Sequence, residues 1–143
     1  MRPSAAFSAA ILVAGCGILP GHVPEWVANR QPLESCGEET PEGLNADARA
    51  CILDAYETGS GAELISTQNS VEGDPITRYI RVHENGVVEI FHDATRDSFG
   101  SGEWERLLCA GLIPVADVND PPDDVYPAEM MFIEDACEPL PVP

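Results

Sequence analysis

Arg78, Arg81, Arg96 and Arg106 fall with His83 and His92 in the central segment of a strongly acidic chain. Cations gathered in this way form a local site for an anion or a partner, or they pair with Glu89, Asp93, Asp97 and their neighbours. Arg78, His92, Asp93 and Asp97 make up the candidate polar cluster. A Ser/His/acid set can be assembled from His83 or His92 with Asp93 and Ser98, but any polar domain offers such combinations, and no catalytic residue is assigned. The chain has no G-x-S-x-G, no H-E-x-x-H and no phosphate-binding glycine loop. With 25 acidic residues, carboxylate pairs of the glycosidase type arise by chance. Asp117, Asn119, Asp120, Asp123 and Asp124 place hard oxygen donors within one loop, a composition suited to calcium. Their spacing lacks the EF-hand order, and a solvated acidic linker is the alternative. No cofactor is implied.

The cysteines carry chemistry of another kind. The chain opens MRPSAAFSAAILVAGC, with Arg2 ahead of an apolar run from Ala5 to Ala14. That run has the length of a signal-peptide core and is too short to span a bilayer, which takes about 20 apolar residues. Val13-Ala14-Gly15-Cys16 resembles the bacterial lipobox, in which an aliphatic and two small residues precede the cysteine whose thiol takes a diacylglyceryl group. The motif implies a signal peptide over residues 1–15, a mature chain starting at lipid-bearing Cys16, and acyl chains of the palmitate type. With Cys16 as the anchor, Cys36, Cys51, Cys109 and Cys137 remain, an even set that suits two disulfides in an exported chain. Cys36–Cys51 and Cys109–Cys137 are the expected pairs, with Cys51–Cys109 as competitor. No two cysteines stand in C-x-x-C spacing, which argues against a zinc knuckle or a thioredoxin-like site.

The formal net charge is −18 over 143 residues, and all seven basic residues are arginine. Loss of Arg2 with the leader leaves 25 acids against six arginines, 25 − 6 = 19, or net −19. Such a surface repels nucleic-acid phosphates, so the expected partners are the membrane, through the lipid on Cys16, and an envelope protein or ligand.

The elements that position these residues follow from pattern. Residues 16–31 contain Pro20, Gly21 and Pro24 without a period and read as a tether. Residues 32–143 read as a single domain whose C-terminal part is acidic and proline-rich. Ala46 to Glu57 reads as a helix capped by Asn45, with Ala48, Cys51, Ile52 and Ala55 on one stripe and Gly59 or Gly61 as its stop. "AELISTQ", then Pro75 to His83, then Val87 to Asp93, then "EWERLLCAGL" read as strands, with a short helix as the alternative for the last. Asn85-Gly86 suggests a two-residue type I′ hairpin. That turn pairs Glu84 with Val87, Ile80 with Phe91 and Arg78 with Asp93. Met130 to Ile133 is an apolar segment that docks on the core. The expected fold class is α+β, one main helix on a small antiparallel sheet of about four strands, stapled by disulfides.

Two blocks carry a resemblance. Glu72-Gly73-Asp74-Pro75-Ile76 and Asp93-x-Thr95-x-Asp97-x-Phe99-Gly100, with a cysteine shortly after, resemble a family of small bacterial extracytoplasmic lipoprotein domains of unassigned activity. The resemblance covers about residues 45 to 112. It implies a small α+β domain outside a membrane and transfers no catalytic residue.

Export signal, cysteine parity and the lack of a catalytic motif together give the expected function: a lipid-anchored extracytoplasmic protein, a non-enzymatic binding or structural module of the envelope. The alternatives are an envelope hydrolase with its site in the central hairpin and a small enzyme-inhibitor-like protein.

Overall fold

A computed structural model describes residues 22–117 and 130–143. The leader 1–15, Cys16, and Asn119, Asp120, Asp123 and Asp124 of the calcium candidate lie outside the described residues. Asp117 is the last residue of a short 3-10 turn and is exposed.

Asn45 caps the main helix, α2 (Ala46–Thr58), by accepting a hydrogen bond from the Ala48 N–H. Gly59 ends it at φ 71°, a left-handed conformation that glycine adopts without strain. Ala48, Ile52 and Ala55 are buried as the 3.6-residue period requires, while Cys51 lies at the exposed edge of that stripe.

The expected sheet needs correction. The fold is mostly β, with eight strands rather than about four. β1 (Glu34–Glu39), β2 (Ala62–Asn69), β3 (Pro75–Val82), β4 (Val88–Asp93), β5 (Trp104–Cys109) and β8 (Glu138–Leu140) form one six-stranded sheet in that spatial order. β6 (Gly111–Pro114) and β7 (Phe132–Asp135) form a separate antiparallel pair. The sheet is also not wholly antiparallel, since β1 runs parallel to β2, with α2 as the crossover between them. β1 reads "ESCGEE", with none of the apolar alternation that marks a strand, and so looks like a turn in sequence. Its ladder skips Cys36, because Ser35 pairs with Glu63 and Gly37 with Leu64. Gly37, at φ 114°, accommodates the bulge. Cys36 is joined to Cys51 on α2, and Cys109 at the end of β5 is joined to Cys137 between β7 and β8. This is the expected pairing.

The central hairpin departs from the expected register by one residue. Arg78 stands opposite His92, Tyr79 opposite Phe91 and Ile80 opposite Ile90. The loop holds three residues, with the His83 N–H donating to the Val87 carbonyl and the Gly86 N–H to the His83 carbonyl. A type I′ turn needs positive φ at both central positions, and here Gly86 has φ 79° while Asn85 does not. Three-residue loops ending in a left-handed glycine are the next commonest hairpin connection. A one-residue slip moves every side chain to the other face. Arg78 and Asp93, expected side by side, therefore lie on opposite faces.

The resulting core is regular. Ala62, Leu64, Ile80, Val82, Val88 and Ile90 share one face and pack against Ala48, Ile52 and Ala55 of α2, with Leu112 and Phe132 closing the side. One end of this core is polar but satisfied. The Glu39 carboxylate accepts from Arg49 Nε at 2.6 Å and Nη2 at 2.9 Å, from Ser66 Oγ at 2.7 Å and from the Asn45 N–H at 3.0 Å. Arg49 also donates to the Met130 carbonyl and lies over the Phe132 ring, which ties the strap at β7 to α2. Met130 to Ile133 thus docks on the core.

Candidate site: a charged cleft on the far sheet face

The opposite face of the sheet is covered as well, by the segment expected to be a tether. α1 (Glu25–Ala28) places Val27 fully inside and sets the Trp26 ring edge-on to Phe91 at 5.0 Å and to Trp104 at 6.3 Å. Both faces of the hairpin carry apolar residues because both are packed, one under α2 and one under residues 26–33.

Beside this aromatic group the same face turns ionic. Glu63 on β2, Arg81 on β3 and Glu89 on β4 stand directly opposite one another in register, and Arg106 on β5 is the diagonal neighbour of Glu89. Arg81 is 2 % exposed, and each of its nitrogens is used: Nε donates to Glu63 at 2.9 Å, Nη1 to Glu89 at 3.2 Å, and Nη2 to the Gln31 carbonyl. Arg30 closes the Glu63 end with two bonds of 2.8 Å. Glu89 accepts from three donors, with a fourth nitrogen at ion-pair distance. His83 Nε2 at 3.0 Å and Arg81 share Oε2, while Arg106 Nε and Nη2, both at 2.6 Å, share Oε1. Arg106 Nη1 has no partner among the described residues.

The balance of charge is unusual for this protein. Three arginines (Arg30, Arg81, Arg106) face two glutamates (Glu63, Glu89), so 3 − 2 leaves one positive charge on a chain of net −18. Burial pushes both carboxyls up. For Glu89 the hydrogen bonds from Arg106 and His83 outweigh that effect, and for Glu63 those from Arg30 do. Both carboxyls end below the ordinary glutamate value and stay ionised.

A cleft of 610 Å³ opens at the Glu89–Arg106 end of this row, with Arg106, His83 and Glu89 at one end, Glu34 and Glu84 also in its lining, and Leu33, Val87 and Leu108 along it. A second hollow of 260 Å³ continues from the same Arg106, His83 and Glu89 toward Arg30 and Trp26. The larger volume lies in the range of small-ligand sites.

The sequence-derived candidates distribute differently. Arg78 and His92 are cross-strand neighbours, but Arg78 pairs with Glu134 at 3.1 Å, and His92 Nδ1 lies 3.4 Å from Glu105. Burial, then the Arg78 charge, push His92 below the ordinary imidazole value, and its Nε2 is buried without a partner. Asp93 accepts from the N–H and hydroxyl of Thr95, and Asp97 from the Phe99 N–H, as turn-forming aspartates do. No hydrogen bond joins any two of Arg78, His92, Asp93 and Asp97. Ser98 is exposed, and its N–H donates to Asp74, so the two sequence blocks meet at one end of the sheet through a loop contact of 2.9 Å.

Among the described residues no group of three or more His, Cys, Asp or Glu is placed to hold a metal ion. Among them, too, no helix is long and apolar enough to cross a membrane.

Arg81, Arg106, His83 and Glu89 were within reach of sequence reasoning as the central cations and their acid. Arg30 and Glu63 were missed. Arg30 sits in a segment without period. Glu63 alternates with buried Ala62 and Leu64, which places it on the second face of a strand, but nothing in sequence shows that face to be covered. Comparison of the chain with protein-family models, with curated proteins and with solved structures finds no match.

Proposed function

We propose that this protein is a lipid-anchored, non-enzymatic binding module of the cell envelope, and that it takes a ligand carrying an anionic group in the charged cleft. One observation carries the binding half. Arg30, Arg81 and Arg106 outnumber Glu89 along the 260 Å³ hollow that continues from the cleft, and Arg106, which lines both, keeps one guanidinium nitrogen unengaged there. Proton-transfer chemistry favours a carboxyl whose pKa lies near the working pH, and here the arginines hold Glu63 and Glu89 in the opposite direction. The arrangement suits electrostatic recognition better than hydrolysis. The Val13-Ala14-Gly15-Cys16 run and the closure of the other four cysteines into two bridges support the anchor. The resemblance to small extracytoplasmic lipoprotein domains agrees with the anchor.

A second reading, an inhibitor-like protein that presents a loop to a partner, is favoured by Phe99. Its side chain is 78 % exposed on a loop held by Asp93, Asp97 and the Asp74–Ser98 contact.

Intact-mass analysis of the membrane-extracted protein tests the anchor. The expected mass is that of a chain starting at Cys16 with acyl groups added, and Cys16→Ser should release or mis-process the protein. An unmodified terminus elsewhere contradicts it. Equilibrium titration with acetate tests the binding half. Saturable millimolar binding that Arg106→Ala weakens at least about fivefold is expected, in line with a charge-assisted contact. Absence of such binding counts against the reading.

A further inference from the structure

Resting on that reading, we propose that the cleft recognises a short peptide by both of its ends, with the terminal carboxylate on Arg106 and the terminal ammonium on Glu84. The cleft has two poles of opposite sign. At one end Arg106 presents the unengaged Nη1 beside His83. At the other, Glu84 is exposed in the hairpin loop and has no ion-pair or hydrogen-bond partner among the described residues.

Glu84 is held against the rim rather than pointing away from it. Its Cγ lies 3.5 Å from the position a Cβ at Gly61 would occupy, and Leu33 closes the same spot. Val87 and Leu108 lie between the poles, Leu33 stands beside Glu84, Leu140 lies opposite Arg106 on β8, and the exposed Glu34 adds a second carboxylate to the lining. A simple anion would satisfy Arg106 and leave the carboxylate rim facing it. A simple cation would meet the opposite problem. A ligand with both charges and an apolar middle satisfies both poles and the lining between them.

The separation sets the length. Glu84 follows β3, and Arg106 lies on β5, two strands away and in register with Tyr79, so the poles are offset along the strands as well as across them. Two inter-strand spacings are roughly 10 Å. An extended peptide advances about 3.3–3.6 Å per residue, so at least about three residues are needed to bridge the poles.

Isothermal titration of the full chain, exported and purified in detergent, with three probes tests this: Gly-Leu-Gly, its N-acetyl form and its C-terminal amide. The free tripeptide is expected to bind tightest, and each cap is expected to weaken it at least about fivefold, the effect of losing one charge-assisted contact. Glu84→Gln should erase the acetylation penalty and leave the amidation penalty intact. Arg106→Ala should do the reverse. Glu84 is exposed and Arg106 partly so, and both variants are checked for an unchanged melting transition. Equal binding of the acetylated and free peptides overturns the two-pole proposal while leaving the anion-binding reading intact. An acetylation penalty that survives in Glu84→Gln also overturns it. No heat from any probe at millimolar concentration overturns both.

Discussion

Glu89→Ala is expected to lower the stability of the folded domain by about 3–5 kcal/mol, the cost of breaking a buried ion pair by removing one partner. Arg81, 2 % exposed, would lose the carboxylate on its β4 side, and Arg106 would lose its partner among the described residues. With small domains stable by about 5–15 kcal/mol, the variant would lie near the limit of folding. Glu105→Ala is the control. Its carboxylate is 41 % exposed and among the described residues pairs only with His92, so a change within about 1 kcal/mol is expected. Urea unfolding measures both, with the midpoint shifting and the slope unchanged.

The same network fixes the pH dependence. Glu39, Glu63 and Glu89 are each pushed up by burial and brought below the ordinary glutamate value by their donors, the first by Arg49, Ser66 and the Asn45 N–H. A carboxyl depressed in the folded state contributes stability that is complete above the unfolded value. That contribution is lost as pH falls through the folded one. Stability should therefore hold down to the ordinary glutamate range and fall steeply below it, with a shallower fall in Glu89→Ala. A variant within about 1 kcal/mol of the parent, with an unchanged acid limb, would show that the row carries no such weight.

Reducing both disulfides is expected to unfold the domain or leave it at the edge of unfolding. In the chain-entropy model, bridges spanning 15 and 28 residues stabilise by about 3 and 3.6 kcal/mol. The first ties the polar edge strand β1 to α2. The second ties β5 to the short β7 and β8, which have four and three residues. Cys36→Ala/Cys51→Ala should lose about 3 kcal/mol even under oxidising conditions. Peptide mapping without reduction should return Cys36–Cys51 and Cys109–Cys137. A Cys51–Cys109 peptide, or a reduced protein within about 1 kcal/mol of the oxidised one, would contradict this account.

Much of this frame is written locally in the chain. Asn45 and Gly59 mark the ends of α2, because a cap and a left-handed glycine are chemical signals that need no tertiary partner. β3, β4 and β5 alternate or run apolar and are legible for the same reason. β1 is not, because "ESCGEE" becomes a strand through pairing with β2 and the bridge from Cys36, both non-local. The hairpin register fails on one residue, since Asn85-Gly86 suits either loop length and the backbone choice at Asn85 decides between them. That single step separated Arg78 from Asp93 and brought Arg81 opposite Glu89. The cleft itself depends on Val27 and Trp26 folding back onto the sheet, which a segment containing Pro20, Gly21 and Pro24 gives no periodic reason to expect.

The central claim is that the charged cleft, and not the loop bearing Phe99 or the Arg78–His92 pair, is where this protein binds. Backbone amide shifts recorded during the acetate titration test it most directly. The account predicts saturable shifts concentrated at Arg81, His83, Glu89 and Arg106, and their loss in Arg106→Ala. Shifts centred on residues 95–101 or on Arg78 and His92, with the cleft unmoved, would contradict it.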